Sequence, residues 1–388
     1  MSQPSLDEIP NKTGEAPPQL AVAPATATPP VVARATLKDI ATTTAILLVT
    51  FAIGLVGGYV GKLLNFPLPW MTGSLLLTAA LCLAGVPLRS LWQVRAGGQF
   101  VTGAAVGTTF TPAILVTIVT LLPAMMLGAL LSVGVAVIGS LILIRLAAVD
   151  AKTAALATMP GGVIEMGNVA QRVGADPLPI MVLQTMRVGL TVCAAPFLVT
   201  WLAEAGARNV LTQGEVMSWL TVLALMAASL AGGLFLNQFK LPNSWFLGSL
   251  FVMAALGAME LIPGRVPEPI LVVAQVTIGM SIGTQYKHEF LTRLLRLLLA
   301  SLVTVPFALI MMALIGALYA VVLGLPVTTL VLALAPAGIA EMALTGKVLG
   351  LDAALITGFQ MVRIIMTLAV AAWTARRLER LMARWDKR

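Results

Sequence analysis

The stretch Met159-Pro160-Gly161-Gly162-Val163-Ile164-Glu165-Met166 returns as Ala335-Pro336-Ala337-Gly338-Ile339-Ala340-Glu341-Met342, 176 residues further on (335 against 159). Each copy sets a proline and glycine inside an apolar run that otherwise reads as helix, and follows the break with an acid. Proline removes a backbone donor and glycine loosens the chain, so the helix breaks there and exposes polar backbone. At membrane depth such backbone is tolerated only inside protein or beside a water-filled cavity. The break therefore either faces a ligand or kinks the chain so that two helices pack closely.

Working outward, the same offset carries Gly174 and Asp176 to Gly350 and Asp352, and Gln184 and Arg187 to Gln360 and Arg363. Upstream, Gln99, Gly103, Gly107 and Thr108 return as Gln275, Gly279, Gly283 and Thr284. Pro67, Trp70, Gly73 and Ser74 return as Pro242, Trp245, Gly248 and Ser249, and Gly57-Gly58 as Gly232-Gly233, at an offset of 175, so one residue was inserted between the blocks. A register held over so many Gly, Pro, Glu, Gln and Arg positions is an internal duplication.

The chain has 388 residues, 59% of them hydrophobic and 10% charged, whereas a soluble domain is about a quarter charged. Apolar runs such as Thr43 to Gly61 and Leu115 to Ile144 are long enough to cross ~30 Å of hydrocarbon. The expected fold is an all-α polytopic membrane protein: two tandem, inverted repeats of about five transmembrane helices, plus a broken or re-entrant helix each. Residues 1–36, rich in Pro, Ala and Thr, read as a disordered cytoplasmic tail without a signal-peptide core. Residues 37–209 form the first membrane repeat, and residues 210–388 the second, with a basic cytoplasmic C-terminus.

Each half reads as helix a (38–63 and 215–238), b (67–85 and 242–260), a Gly-rich c (96–112 and 268–285), a long d (112–147 and 289–323), the broken segment e (151–172 and 327–349) and f (177–204 and 352–378). If e dips in and returns, each half crosses five times and the second is inverted. The cytoplasmic side then holds 17 basic residues against 4 outside, as loop charge requires of a bacterial-type inner membrane protein with both termini inside. Six crossings per half give a poorer separation, 14 against 7.

The net charge of +8 does not imply nucleic acid, because the basic residues lie in short loops and in Arg376 to Arg388, as at cytoplasmic ends. Cys82 and Cys193 lie in apolar spans, which argues against a disulfide framework. One histidine, His288, supplies no metal-ligand spacing, so neither a metal nor a cofactor is expected.

Glu165 and Glu341 are ionisable groups in otherwise apolar segments and are functional candidates by default; the plainer alternative is a structural ion pair. Arg187 lies ten residues after Pro177, about 15 Å into the membrane. It shares a helix face with Gln184, as Arg363 does with Gln360. A guanidinium fork fits a carboxylate or phosphate, so Arg187 and Arg363 either hold an anionic substrate or neutralise the acids. The substrate- or ion-binding candidates are thus Pro160, Gly161, Gly162, Glu165, Gln184 and Arg187, with Pro336, Gly338, Glu341, Gln360 and Arg363. No catalytic residue is assigned. Asp176 and Asp352 are expected to cap helix f. Gly103/Gly107 and Gly279/Gly283 are close-packing pairs, and Trp70 and Trp245 are interfacial anchors.

The duplicated Met-Pro-Gly-Gly-x-x-Glu-Met element, the turn Gly174-Ala175-Asp176 and Gln184-Thr185-Met186-Arg187 resemble the membrane AbrB duplication family, whose members are labelled AbrB-type regulators or ammonia monooxygenases. The resemblance covers roughly residues 40–380. Ala335 and Ala337 replace the Met and first Gly in the second half, so the copies are not equivalent, and the first is expected to dominate binding. Nothing in this chain looks like the small soluble DNA-binding regulator that shares the name, and the oxygenase label lacks metal ligands. The leading expectation is a non-enzymatic secondary transporter of a small, anionic solute coupled to an ion gradient. Its broken helices cross near the midplane, Glu165 and Glu341 exchange protons or bind cations, and the two arginines hold the anion. A membrane sensor affecting gene expression is the alternative and a monooxygenase the third. The partners are the lipid bilayer and a small-molecule or ion substrate, with a homodimer left open.

Overall fold

The computed structural model describes residues 37–203, 215–239, 241–262 and 264–385. The expected tail (1–36), Arg208, Lys240 and the last three residues lie outside the described residues. The chain divides into two units. Of Met1–Thr44 only the helical stretch 37–44 is described; Ala45–Arg388 holds everything considered below.

The first repeat comprises α1 (Leu37–Leu63), α2 (Pro69–Leu83), α3 (Trp92–Gly107), α4 (Pro112–Thr120), α5 (Leu122–Ala147), α6 (Ala151–Thr158), α7 (Val163–Val173) and α8 (Pro177–Leu202). The second comprises α9 (Trp219–Gln238), α10 (Ser244–Ala258), α11 (Glu268–Gly283), α12 (His288–Arg293), α13 (Leu295–Leu323), α14 (Val327–Leu334), α15 (Ile339–Val348) and α16 (Ala353–Trp385). The starts of α3, α6, α7 and α8 map onto those of α11, α14, α15 and α16 at the 176-residue offset read from the sequence. Helices α1, α5, α8, α9, α13 and α16 are long and apolar enough to cross a membrane, and α3 with α4, bent by 99°, makes a seventh candidate. The protein is an all-α polytopic membrane protein.

Segment d is not the single helix expected. In the first repeat it parts at Leu121, where Pro123 stands in the first turn of α5 and disfavours helical backbone before it. In the second it parts at Leu294, with no proline nearby, and nothing local in the sequence accounts for that break. Helix α16 also runs to Trp385, beyond the expected end at 378.

The repeats are built into one another. Helix α3 packs on α10, and α11 packs on α2, so each Gly-x-x-x-Gly helix docks on the other repeat. A Cβ on Gly103 would lie 2.2 Å from the Phe246 carbonyl, and one on Gly279 would lie 2.4 Å from that of Met71. Ser249 Oγ donates across the first contact to the Phe100 carbonyl at 2.8 Å. Such reciprocal contacts are those of a two-fold relation. Within each repeat Gly57 meets Gly73, as Gly232 meets Gly248. The rings of Trp70 and Trp245 lie against Gly58 and Gly233, and the Trp245 indole N–H is buried without a partner. These tryptophans therefore fill the groove left by glycine.

The backbone N–H of Asp176, at the start of α8, donates to Thr153 Oγ1, in the first turn of α6, at 3.0 Å. The chain thus leaves segment e where it entered, and α6 and α7 form a re-entrant hairpin. Long-range contacts agree. Ser90 Oγ lies 2.8 Å from Ser281 Oγ, and Arg296 Nε donates to the Leu146 carbonyl at 2.8 Å. If each remaining segment crosses once, these loops share a face only when segment e does not cross, which makes the second repeat inverted.

Candidate functional site

Each hairpin breaks in the same way. Helix α6 ends at Met159 (φ −62°, ψ 138°) and α7 begins after Gly162 (−76°, 154°). In the second repeat Ala335 (−56°, 134°) and Gly338 (−75°, 154°) repeat those values. Any residue adopts these angles, so the reason for glycine lies elsewhere. A Cβ on Gly162 would lie 1.8 Å from Glu165 Oε2, and one on Gly338 would lie 2.0 Å from Glu341 Oε2. Each acid folds back over the start of its own helix, where a carboxylate complements the positive end of the helix dipole. A Cβ on Gly161 would meet only the flexible Met166 side chain, consistent with Ala337 at the equivalent position.

At the other side of each break the half-helix leaves unpaired carbonyls. Arg187 donates through one terminal nitrogen to Met159 O and through the other to Gly161 O at 2.7 Å, and Gln184 donates to Leu156 O at 2.8 Å and Met159 O at 2.9 Å. Arg363 donates to Ala335 O at 2.5 Å and Ala337 O at 2.6 Å, while Gln360 serves Ala333 O at 3.0 Å and Ala335 O at 3.1 Å. The guanidinium neutralises the negative end of α6 or α14. All four side chains are buried. Their common face on helix f was foreseen; the expected partners were not. Among the described residues neither arginine pairs with an acid, and in each both terminal nitrogens donate to the broken backbone. Each hairpin packs on the arginine helices of both repeats, α6 on α8 and α16, and α14 on α16 and α8.

Arg187 Nε, Thr191 Oγ1, Arg363 Nε and Thr367 Oγ1 are buried without a protein partner, in matching positions of the repeats. A cavity of about 20 Å³ beside Arg187, lined also by Thr158 and Thr304, has room for about one water molecule. Asp176 Oδ1 accepts from Leu178 N and Asp352 Oδ1 from Leu355 N, the capping role expected of both.

The acids differ sharply. Glu341 is 2% exposed and meets Arg95 of α3 at 3.2 Å. The second-repeat counterpart of Arg95 is Leu271, so Glu165 has no matching cation, and among the described residues it forms no ion pair. Helix α15 is buried from Ile339 to Gly346, and Lys347 Nζ closes its far end on Thr108 Oγ1 at 3.0 Å. Helix α7 instead exposes Ile164, Asn168, Gln171 and Arg172.

The open hairpin borders a cavity of about 880 Å³ between the 84–91 loop, the start of α7 and the 284–289 stretch. Arg89, Arg95 and Lys287 line it together with His288 and Glu289. Tyr286 also faces it, its hydroxyl seated against Gly189; burial, with the Cys193 thiol second, pushes that phenol above its ordinary range. Sequence reasoning counted these cations only as loop charges. The one available signal was Arg95 itself, a lone charge at the mouth of the Gly-rich helix. Among the described residues no three His, Cys, Asp or Glu side chains come together as a metal site.

The profile described as "Transition state regulatory protein AbrB" matches residues 70–379, which spans both hairpins and both arginine helices. The chain belongs to the AbrB family. Within that family it is 27% identical to "Uncharacterized protein YhjN" of Bacillus subtilis (strain 168) over 351 residues, covering 82% of this chain and 89% of the relative. It is 26% identical to "Putative regulator AbrB" of Escherichia coli (strain K12) over 321 residues, covering 80% and 90%. Matches of that extent place the AbrB-family relatives' similarity across the whole duplicated unit, not in one half.

Proposed function

We propose that this AbrB-family protein is a secondary transporter of a small anionic solute, coupled to an ion gradient. The observation that carries the reading is the unequal state of two equivalent hairpins. One is sealed, with its acid paired to Arg95, and the other borders a large, net basic cavity. Inverted repeats with broken helices at membrane depth are the architecture of alternating access, and two copies of one unit in different states are what one side open and the other closed would give. The arginine-capped breaks supply stiff hairpins that can tilt without unravelling. The same face carries Arg89, Arg145, Lys152, Arg172 and Lys287, which supports an inner-membrane orientation with that face in the cytoplasm.

The test is flux into proteoliposomes of small carboxylates and inorganic phosphate under an imposed proton or sodium gradient. Gradient-driven uptake of at least one anion is expected, and its absence for all of them under both gradients overturns the reading. The printed name of the Escherichia coli relative favours a second reading, a membrane sensor acting on gene expression. That reading expects transcript changes that vanish when Arg376 to Arg388 are deleted, in cells whose vesicles show no flux.

A further inference from the structure

We infer that the cavity beside the first break binds a small organic carboxylate, and that Arg95 passes from Glu341 to this anion while Glu341 takes up one proton. The inference rests on the transport reading only for its purpose; the binding site stands or falls by itself.

Arg89 and Lys287 against Glu289 leave the lining with one net positive charge while Arg95 is neutralised by Glu341. Releasing Arg95 adds a second. The rest of the wall combines apolar and aromatic side chains, among them Val86, Leu91, Trp92, Val163 and Ile164, with the polar Ser90, Ser281, Thr284 and Gln285, a lining with both a face for the hydrocarbon body of an organic acid and polar groups to orient it. Helix α3 begins at this wall after Leu91 without a side-chain cap, whereas the start of α7 is already faced by the Glu165 carboxylate. The free N–H groups of α3 add to the attraction for an anion that the cations already provide.

Arg95 connects the cavity to the buried acid. Its side chain is 33% exposed, against 2% for Glu341, and a single terminal nitrogen makes the contact. A guanidinium has five donors in a fixed fork, so this end-on pairing leaves the geometry for a bidentate carboxylate unused. A ligand carboxylate that takes the fork withdraws the one cation facing Glu341. No other charge replaces it. Helix α15 packs on α3, α14, α16 and α8. Helix α14 carries no charge, and α3 carries only Arg95. Arg363 of α16 and Arg187 of α8 donate to the break carbonyls, and the other ionised side chains of α16 lie between Arg376 and Arg384. Lys347, on α15 itself, is held by Thr108. A buried carboxylate left without a partner is neutralised by a proton. The balance is one carboxylate and one proton bound together, with no net charge added to the protein.

The test is isothermal titration of the purified full-length chain with acetate, succinate, benzoate and inorganic phosphate, repeated in buffers of different ionisation enthalpy. At least one carboxylate is expected to bind, with close to one proton taken up per anion. Glu341→Gln should bind the same anion several-fold more tightly and without proton uptake. The double variant R89Q/K287Q, altered at two exposed positions, should bind about tenfold more weakly or worse with an unchanged melting temperature. The inference is overturned if no carboxylate binds, if phosphate alone binds, if Glu341→Gln retains proton uptake, or if R89Q/K287Q binds as the parent does. Binding and proton uptake without flux would end the transport reading and leave the site intact. Flux without carboxylate binding here would do the reverse.

Discussion

Arg187 donates to the carbonyl of Gly161 at 2.7 Å, twenty-six residues back along the chain, and Arg363 repeats the contact on Ala337 at 2.6 Å. A buried guanidinium whose partners are backbone carbonyls is a structural brace, and the brace makes a specific prediction. Arg187→Met should leave Gly161 O without its side-chain donor, at about 1–3 kcal/mol for the unsatisfied group, while Met159 O keeps the Gln184 amide. The loss is read as a lower unfolding midpoint in detergent. Glu165→Gln should change that midpoint little, and the double variant should show simple additivity. If Glu165→Gln instead rescues Arg187→Met, the two are an ion pair and the brace is wrong.

The acids set the glycines. Gly338→Ala places a Cβ on the Glu341 carboxylate and should cost roughly 1–3 kcal/mol, the usual range for overpacking. Gly161→Ala, which copies the residue already present at 337, should be tolerated to within about 1 kcal/mol. Coupling Gly338→Ala to Glu341→Ala should recover much of the loss in the same melting measurement. Equal penalties at 161 and 338 would contradict the assignment.

Most of the fold was legible because a duplication writes each element twice. The repeat, at an offset of 175 in the α2 block and 176 beyond it, revealed the order of the segments from α2 to α16 apart from the two breaks within segment d, and the breaks at Pro160 and Pro336 announced themselves by composition. Partners were not legible. A sequence shows that Arg187 is buried, yet it does not show whether a carboxylate or a row of carbonyls meets it, because both satisfy the same fork. The Arg95 to Glu341 pair was invisible for a different reason: it joins repeats across 246 positions, and the duplication, which illuminates symmetric features, has Leu271 where symmetry asks for a second arginine. The break at Leu294 left no local mark at all.

The inverted arrangement is checked by labelling single cysteines in a background lacking Cys82 and Cys193. Val86→Cys and Arg172→Cys, both exposed, should react with an impermeant maleimide from one face, and Met259→Cys, at 66% exposure, from the other. If segment e crossed the membrane, Val86→Cys would label with Met259→Cys and apart from Arg172→Cys.

The exchange of helices between repeats makes its own demand on glycine, and here neighbours separate two kinds of helical glycine that look alike in sequence. Gly103 and Gly279 lie against the other repeat's backbone, where a Cβ would approach a carbonyl oxygen to 2.2 and 2.4 Å. Gly97 and Gly134 have nothing within 4 Å of an added Cβ. Alanine is the better helix former by about 0.5–1 kcal/mol when it meets no obstacle. Gly97→Ala and Gly134→Ala should therefore hold or raise the unfolding midpoint. Gly103→Ala and Gly279→Ala must push α3 off α10 or α11 off α2, and because carbonyl oxygens in packed helices cannot retreat as a methionine tip can, both should yield poorly folded, polydisperse protein on size exclusion. Monodisperse Gly103→Ala and Gly279→Ala with parental midpoints would mean that the repeats do not dock through these helices, and with that contact would go the two-fold relation on which the unequal hairpins are compared.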